Sequence, residues 1–418
     1  MKPTWSLAWL VLIALLLAVR LPSLVQPPGA DQELYAYVAQ EIHRGGLPYR
    51  DAWDQKPPGI HFVYAALWSI SGSESVIPAA DLAAAAAMAL LLVVLGRRLK
   101  PGAGELAAVA FLLLGNPALD RFGGVRIRAQ CETFIALTVT GAFLMAHVLA
   151  AAPASRSAAW RRGLRFGAGL LLGAAFVLKY NAAVFAPAAV IALLFWRMGR
   201  GTDFAAAWRE TLRDGLGMAA GFCAIAAVVA AAFATAGAWD DLWQATVVYN
   251  LQYSGETYRG PWHMLTYLLT FPIERARVDG LWLLGGAGCL LLMGATRRRP
   301  GSAAVLAWVG AACLSIAVNG SRGLPQYFVQ ADPALALAAG LGGAAVWQAL
   351  RHPLARTALL GLIALALWRV VPFDKAVDYT RHDLAFARGA ITRDAHLARY
   401  GGRPGDKHSP LAVAHLAD

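Results

Sequence analysis

The chain has 418 residues, of which 58% are hydrophobic and 15% charged. Soluble domains carry about 45–50% apolar and about 25% charged residues, so a soluble enzyme, a disordered chain and a disulfide scaffold are excluded and a polytopic membrane protein is left. Its 37 basic and 25 acidic residues give a net charge of +12, which in such a protein reports cationic cytoplasmic loops rather than a nucleic-acid partner.

A crossing needs roughly 20 apolar residues. Eleven segments qualify in chain order: 5–21, 78–96, 103–119, 131–150, 163–178, 181–197, 215–236, 280–296, 302–319, 331–350 and 357–372. The first follows Lys2 and has no small-x-small cleavage site after it, so it reads as a retained span. After it, 31–44 has helical composition and ends at Gly45-Gly46 and Pro48. Pro57-Pro58 opens the next helix, because the first N–H groups of a helix need no intrahelical partner. That helix, 59–70, is apolar but makes only about 18 Å at 1.5 Å per residue, too short to cross.

Charge placement tests this count. Arg97, Arg98 and Lys100; Arg156, Arg161, Arg162 and Arg165; Arg197, Arg200, Arg209 and Arg213; Arg297, Arg298 and Arg299; and Arg351 and Arg356 all fall on the side of Lys2 when 59–70 does not cross. That side is expected to be the cytoplasm. The opposite, periplasmic face then receives 22–77, 237–279, the tail from Phe373, and short turns near 120–130, 179–181 and 320–330. Residues 1–372 read as one membrane module. Residues 373–418 read as the start of a periplasmic region of short amphipathic helices, which stops in mid-pattern as if the protein continued. No internal repeat or inverted pair of broken spans is visible, which weighs against a secondary transporter. Cys131, Cys223, Cys289 and Cys313 have no C-x-x-C spacing and read as small buried hydrophobes. Gly167-x-Gly169 and Gly340-x-Gly342-Gly343 lie inside spans and read as helix-packing sites, not nucleotide loops.

The densest polar cluster on the outer face runs through Asp31, Tyr35, Tyr37, Glu41 and Tyr49 to Asp54-Gln55-Lys56-Pro57-Pro58-Gly59. Each member has an ordinary reading: Asp31 as a helix N-cap, Lys56 as a snorkelling anchor, Asp51 and Asp54 as solvated loop. Their combination beside a surface helix favours a functional one. Other outer turns add Arg128, with Glu132 at the mouth of the fourth span, where an ionisable group usually faces a cavity. They also add Lys179, an anchor or an anion ligand, and Arg322, Gln326 and Tyr327, the last equally suited to an aromatic belt. Carboxylates and cations from separate segments at one face suit a lipid-linked phosphate. Cations stabilise the phosphate as a leaving group, and a carboxylate takes a proton from an incoming hydroxyl or amine.

Asp31-x-x-x-Tyr35-Ala36, with Pro48-Tyr49-Arg50-Asp51 and Asp54-Gln55-Lys56-Pro57-Pro58-Gly59, resembles the first outer loop of GT-C membrane glycosyltransferases. Specifically, it resembles the dolichyl-phosphate-mannose protein mannosyltransferase family and its bacterial relatives, such as the aminoarabinose transferase acting on lipid A. Leu178-Lys179 and Gln326-Tyr327-Phe328 also look like family features. The resemblance implies an all-α integral membrane protein of about eleven transmembrane helices, with surface helices in its first periplasmic loop. It implies Asp31 as general base or acceptor-orienting carboxylate and Glu132 as a second catalytic acid. Lys56, Arg128, Lys179 and Arg322 would contact the donor phosphate, and Tyr35, Asp54, Gln326 and Tyr327 would line the substrate site. Two departures stand out: Gln32 leaves one carboxylate where many relatives have an acidic pair, and Gln55 stands where some have Glu. No metal-ligating spacing stands out, the nine His being dispersed, and no cofactor is expected.

The reading is therefore a multi-pass enzyme of the bacterial inner membrane with its site facing the periplasm. It would move a hexose or pentose from a polyprenyl-phosphate carrier to an envelope lipid, glycan or protein, with inversion. The rival is a carrier or flippase for lipid-linked or anionic solutes, which predicts charges deep in mid-span where this chain has mostly Ala, Leu, Val and Gly. A non-enzymatic scaffold leaves the loop 31–59 without a purpose.

Overall fold

In the computed structural model the described residues are 5–400, apart from 121–123, 125–126, 154, 256 and 297–298. Lys2, Arg121, Arg126, Arg297, Arg298 and the end of the tail, 401–418, lie outside them. The described chain is almost entirely helical, with no β-strand among the described residues.

Helix α1 (Trp5–Arg20) leads through a short 3-10 turn to α2 (Ala30–His43) and the surface helix α3 (Gly59–Ser71). Then α4 (Val76–Leu99) and α5 (Ala103–Leu114) form a tight hairpin, followed by α6 (Cys131–Ala150) and α7 (Ala158–Leu178). A 3-10 turn over Tyr180–Val184 runs into α8 (Phe185–Met198), and α9 (Phe204–Thr235) follows. The next loop holds α10 (Trp239–Trp243), a π-helical turn over Gln244–Val248, α11 (Tyr249–Gly255) and α12 (Pro261–Ala276). The bundle closes with α13 (Gly280–Ala295), α14 (Gly301–Val318), α15 (Asp332–Ala349) and α16 (Pro353–Val370). Two tail helices, α17 (Phe373–Ala387) and α18 (Arg393–Tyr400), end the described chain.

Helices lie over all eleven apolar segments. Seven among the described residues are long and apolar enough to cross a membrane, or eight if the bent pair α12–α13 forms one span. The number is smaller than eleven for local reasons. Helix α1 has 16 residues and α5 only 12, because Gly115, Asn116 and Pro117 break the apolar run before 119. Helix α7 carries Arg161, Arg162 and Arg165 near its start. Helix α9 begins eleven residues before the apolar segment does, since the Asp203 carboxylate caps it by accepting from the Ala205 and Ala206 amides. Helices α12 and α13 meet at 115°. There Asp279 caps α13, and Arg275 bridges Asp279 and Asp120.

Packing depends on missing side chains. A Cβ on Gly169 would stand 2.0 Å from the Met218 carbonyl oxygen, and one on Gly340 2.4 Å from that of Ala103. Such backbone approach is what small residues permit between apolar helices that have no hydrophobic drive to associate in lipid. The outermost helix, α16, buries none of its residues, and Leu354, Leu362 and Trp368 are 72%, 66% and 70% exposed. Cys131 is buried, Cys289 and Cys313 are half-buried, and Cys223 is exposed on α9, so the reading of four buried cysteines is corrected for that position.

The bundle has two unlike ends. One, the loop end, carries 21–75, 115–130, 236–279, 319–331 and the tail helices. The other, the arginine end, carries the short turns after α4, α6, α8, α13 and α15. Helices α17 and α18 fold back on the loop end: Lys375 Nζ donates to the Asp120 carbonyl at 2.7 Å, and His396 Nε2 lies 2.8 Å from the Val25 carbonyl. Gln26 and Tyr400 both donate to Asp383.

Candidate active site

The first loop is built to aim Lys56. Helix α2 is capped at Gly29, whose N–H donates to Gln32 Oε1 at 2.6 Å, while Gln32 Nε2 reaches the Arg128 carbonyl at 2.6 Å. Asp31 is therefore not the cap. It stands in the first helical turn, and among the described residues its carboxylate has no hydrogen-bond or ion-pair partner. Beyond α2 the chain turns sharply at Tyr49, which adopts a positive φ of 73° without being glycine. Side chains hold that region only where their surroundings enforce it. Asp51 Oδ2 accepts from the Leu47 amide at 2.7 Å, and the Tyr49 amide donates to the Ala52 carbonyl at 2.8 Å. The turn sends the Tyr49 side chain inward, where its hydroxyl donates to the Lys56 carbonyl at 2.7 Å. Asn250 Nδ2, from α11, donates to the preceding carbonyl, that of Gln55, at 2.6 Å.

Gly59 then seats the start of α3 on the end of α7: a Cβ there would stand 2.6 Å from the Val177 carbonyl oxygen. This contact brings the Lys56 loop beside Lys179. Between them lies a cavity of about 240 Å³, lined by Gln55, Lys56, Pro57, Lys179, Tyr180, Asn181, Thr246, Asn250, Tyr253, Asn319 and Tyr327, among others. Its far wall is the π-helical turn, where the Tyr180 hydroxyl and Thr246 Oγ1 are 2.8 Å apart. Single π-turns often mark functional sites because they realign the side chains of one helix face.

The two lysines differ. Lys179 Nζ donates to Glu132 Oε1 at 2.6 Å and sits 4.2 Å from the centre of the Tyr327 ring. Lys56 has no such partner among the described residues. Burial disfavours its charge, but the carboxylates of Asp31, Asp54 and Glu132 more than offset this, Asp31 foremost, and hold its pKa above the ordinary value.

Asp54 is buried rather than solvated, being 2% exposed, and its Oδ1 accepts from the Gln55 amide at 2.6 Å. Burial raises its pKa, against the nearby charge of Lys56. Behind it lies His61, wholly buried on α3, with Nε2 3.5 Å from Asp54 Oδ2. That separation is too long for a hydrogen bond. Both His61 nitrogens and Asp54 Oδ2 lack partners among the described residues. The His61 ring meets those of Tyr35 and Tyr49 edge-on, each at 5.9 Å. Burial, reinforced by the Lys56 charge, drives its pKa down to about 3, so the ring is neutral. Sequence reasoning passed over His61, although a single imidazole in the apolar run 59–70 was visible. It also passed over Asn250.

Other sequence candidates stand elsewhere. Glu132, in the first turn of α6, is 1% exposed and bound to Lys179, and it does not line the cavity. Arg128 is buried and donates to the Ser23 carbonyl at 3.0 Å, outside the cavity. Arg322 packs its guanidinium 3.5 Å from the centre of the Tyr253 ring and so backs the cavity wall. Tyr35 is buried with its hydroxyl 3.3 Å from Gln130 Oε1. Gln326 does not line the cavity, whereas its neighbour Tyr327 does. The structure thus brings together Lys56, Lys179 and Tyr327 at the cavity, while Asp31, Asp54 and Glu132 do not line it and act on Lys56 through their charge. Among the described residues no three His, Cys, Asp or Glu side chains gather as metal ligands would.

No protein-family profile and no curated protein matches the chain. Solved structures do. ArnT from Cupriavidus metallidurans bound to undecaprenyl phosphate superposes with a TM-score of 0.58 at 17% identity, over 98% of this chain and 75% of that one. The chain has the GT-C fold. The apo oligosaccharyltransferase of Archaeoglobus fulgidus gives 0.54 at 13% identity, over 91% of this chain and 56% of that one. The archaeal oligosaccharyltransferase AglB from Archaeoglobus fulgidus, in complex with an inhibitory peptide and a dolichol-phosphate, gives 0.52 at 13%, over 89% and 56%. The chain spans little more than half the length of the archaeal enzyme. In this GT-C chain the first loop and the break between α7 and α8 meet at a single hollow.

Proposed function

We propose that the protein is a glycosyltransferase that takes a sugar from a polyprenyl-phosphate carrier and gives it to an envelope acceptor. The observation that carries this is the unpaired, charged Lys56 at the cavity wall, facing Lys179 and backed by the free carboxylate of Asp31. The fold is shared with ArnT, which was solved with undecaprenyl phosphate, and with AglB, which was solved with a dolichol-phosphate.

In this reading the carrier phosphate lies against Lys56 and the free N–H groups of Lys179, since an ammonium has three donors and Glu132 takes one. The acceptor oxygen or nitrogen attacks the anomeric carbon as the bond from that carbon to the phosphate oxygen breaks. The electron pair leaves with the phosphate, where the two ammonium groups stabilise it. Asp31 takes the acceptor proton. With a single displacement, the anomeric configuration inverts. The arginine end faces the cytoplasm and the loop end the periplasm of a bacterial inner membrane, a placement supported by the one-sided distribution of Arg and Lys. The chain then crosses eleven times, with α1 and α7 among the spans and α5 completing its crossing only together with the 3-10 turn Pro117–Leu119 that continues it.

The test is Asp31→Asn in purified protein, assayed for sugar release from a polyprenyl-phosphate donor. Loss of the general base is expected to lower kcat by about 100-fold or more with donor binding retained. Near-normal turnover would remove Asp31 from the mechanism.

A further inference from the structure

The arginine end holds a second cavity, of about 330 Å³, enclosed by the ends of α4, α6, α8, α13, α14 and α15. Arg98, Lys100, Arg200 and Arg299 line it, and no acidic side chain does. Among the described residues none of these four side chains forms an ion pair or a hydrogen bond. Other cations at this end are satisfied: Arg97 pairs with Glu105 at 2.5 Å, and both Arg165 and Arg197 bind Asp214. Arg98, Arg200 and Arg299 are exposed and Lys100 is half-buried, so solvent screens part of their mutual repulsion, and an anion seated among them relieves the rest.

The inner wall points the same way. His147 and Trp196 line the cavity at 7% and 3% exposure. The Trp196 indole nitrogen and His147 Nδ1 are buried and have no partner among the described residues. An indole N–H only donates, and a buried donor left unmatched costs about 1–3 kcal/mol. An acceptor-rich ligand such as a phosphate group satisfies it. The first turn of α14, at Gly301 and Ser302, also lines the cavity and adds the partial positive charge of a helix start.

We propose that this cavity binds the phosphate head group of an anionic phospholipid. An exposed apolar residue on the cavity's rim favours a lipid over a free anion. Leu291 both lines it and is 47% exposed on the outer face of α13, flanked by exposed Leu290 and Met293. Acyl chains lie against that face while the head group turns inward. Basic pockets between membrane helices near a surface bind anionic head groups in this manner.

The test is native mass spectrometry of the purified full chain, delipidated and offered phosphatidylglycerol and phosphatidylcholine with matched acyl chains. Phosphatidylglycerol is expected to be retained about tenfold better, a difference of about 1.4 kcal/mol. Lys100→Gln with Arg200→Gln is expected to abolish the preference. Arg162→Gln with Arg351→Gln removes equal charge at the same end outside the cavity, and it is expected to keep the preference. Trp196→Phe, which changes no charge, is expected to weaken retention and serves if the first double variant does not fold. Added inorganic phosphate is expected not to displace the lipid. Equal retention of both lipids by the unaltered protein, equal loss in both double variants, or displacement by inorganic phosphate alone would each overturn the proposal.

Discussion

The two cavities sit at opposite ends of one bundle and handle charge in opposite ways. At the loop-end cavity both lysines are answered by carboxylates, Lys179 by a direct bond to Glu132 and Lys56 by the surrounding Asp31, Asp54 and Glu132. At the arginine end four cations line a hollow with no acid in it. The difference shows what each place is suited to. A balanced site holds an anion and releases it, and it keeps a base at hand for a proton. A one-signed site only holds.

The sharpest way to break this contrast is to unbalance the loop end. Glu132→Ala leaves the buried Lys179 charge without its partner, and loss of one member of a buried pair costs about 3–5 kcal/mol. Thermal unfolding in detergent is expected to show that loss, with much of it recovered in the double variant Glu132→Leu, Lys179→Met. Next comes Lys56→Ala. If this ammonium stabilises the leaving phosphate, kcat/KM for the donor falls by about 10²–10³, measured by sugar transfer, with little change in melting temperature. An equal loss of stability would make Lys56 structural.

The buried imidazole gives a smaller, pH-dependent effect. His61 is neutral in the fold, with its pKa lowered from 6.5 to about 3 by burial and by the Lys56 charge. Its stabilising contribution is therefore complete above about pH 6.5, where the unfolded group is also neutral, and is lost as pH falls toward 3. The slope in that window is at most about 1.4 kcal/mol per pH unit. His61→Gln is expected to flatten the acid side of the stability profile, and an unchanged profile would mean that the ring is already charged. The smallest effect belongs to Asn250→Ala, which frees the Gln55 carbonyl. Loss of one such hydrogen bond is worth about 1 kcal/mol, so donor KM is expected to rise several-fold while kcat stays nearly constant.

How much of this could be read in the sequence depended on distance along the chain. The loop 31–59 was legible because its acid, tyrosines and Lys-Pro-Pro lie within 30 residues. Helical periodicity and breakers also placed α2 and α3 to within a residue or so. Glu132 and Lys179, 47 residues apart, read as two independent ligands, and nothing local says that they neutralise each other. Asn250 lies 195 residues from the carbonyl it holds, in an outer segment with no recognisable pattern. The apolar run 103–119 looked like a full span because hydropathy is blind to where Asn116-Pro117 ends a helix. The cations of the arginine end were read as topology signals, and their convergence on one hollow needs six helices in register.

The tail helices bear on how the protein is made. Asp383 receives Gln26 from 357 positions earlier, and His396 meets the Val25 carbonyl across 371. A ribosome has therefore already built the first loop and nearly everything after it before the segment that fastens that loop exists. A nascent chain halted ahead of Phe373 would already hold every apolar segment, yet its opening loop would still lack that clasp, which arrives only with residues 373–400.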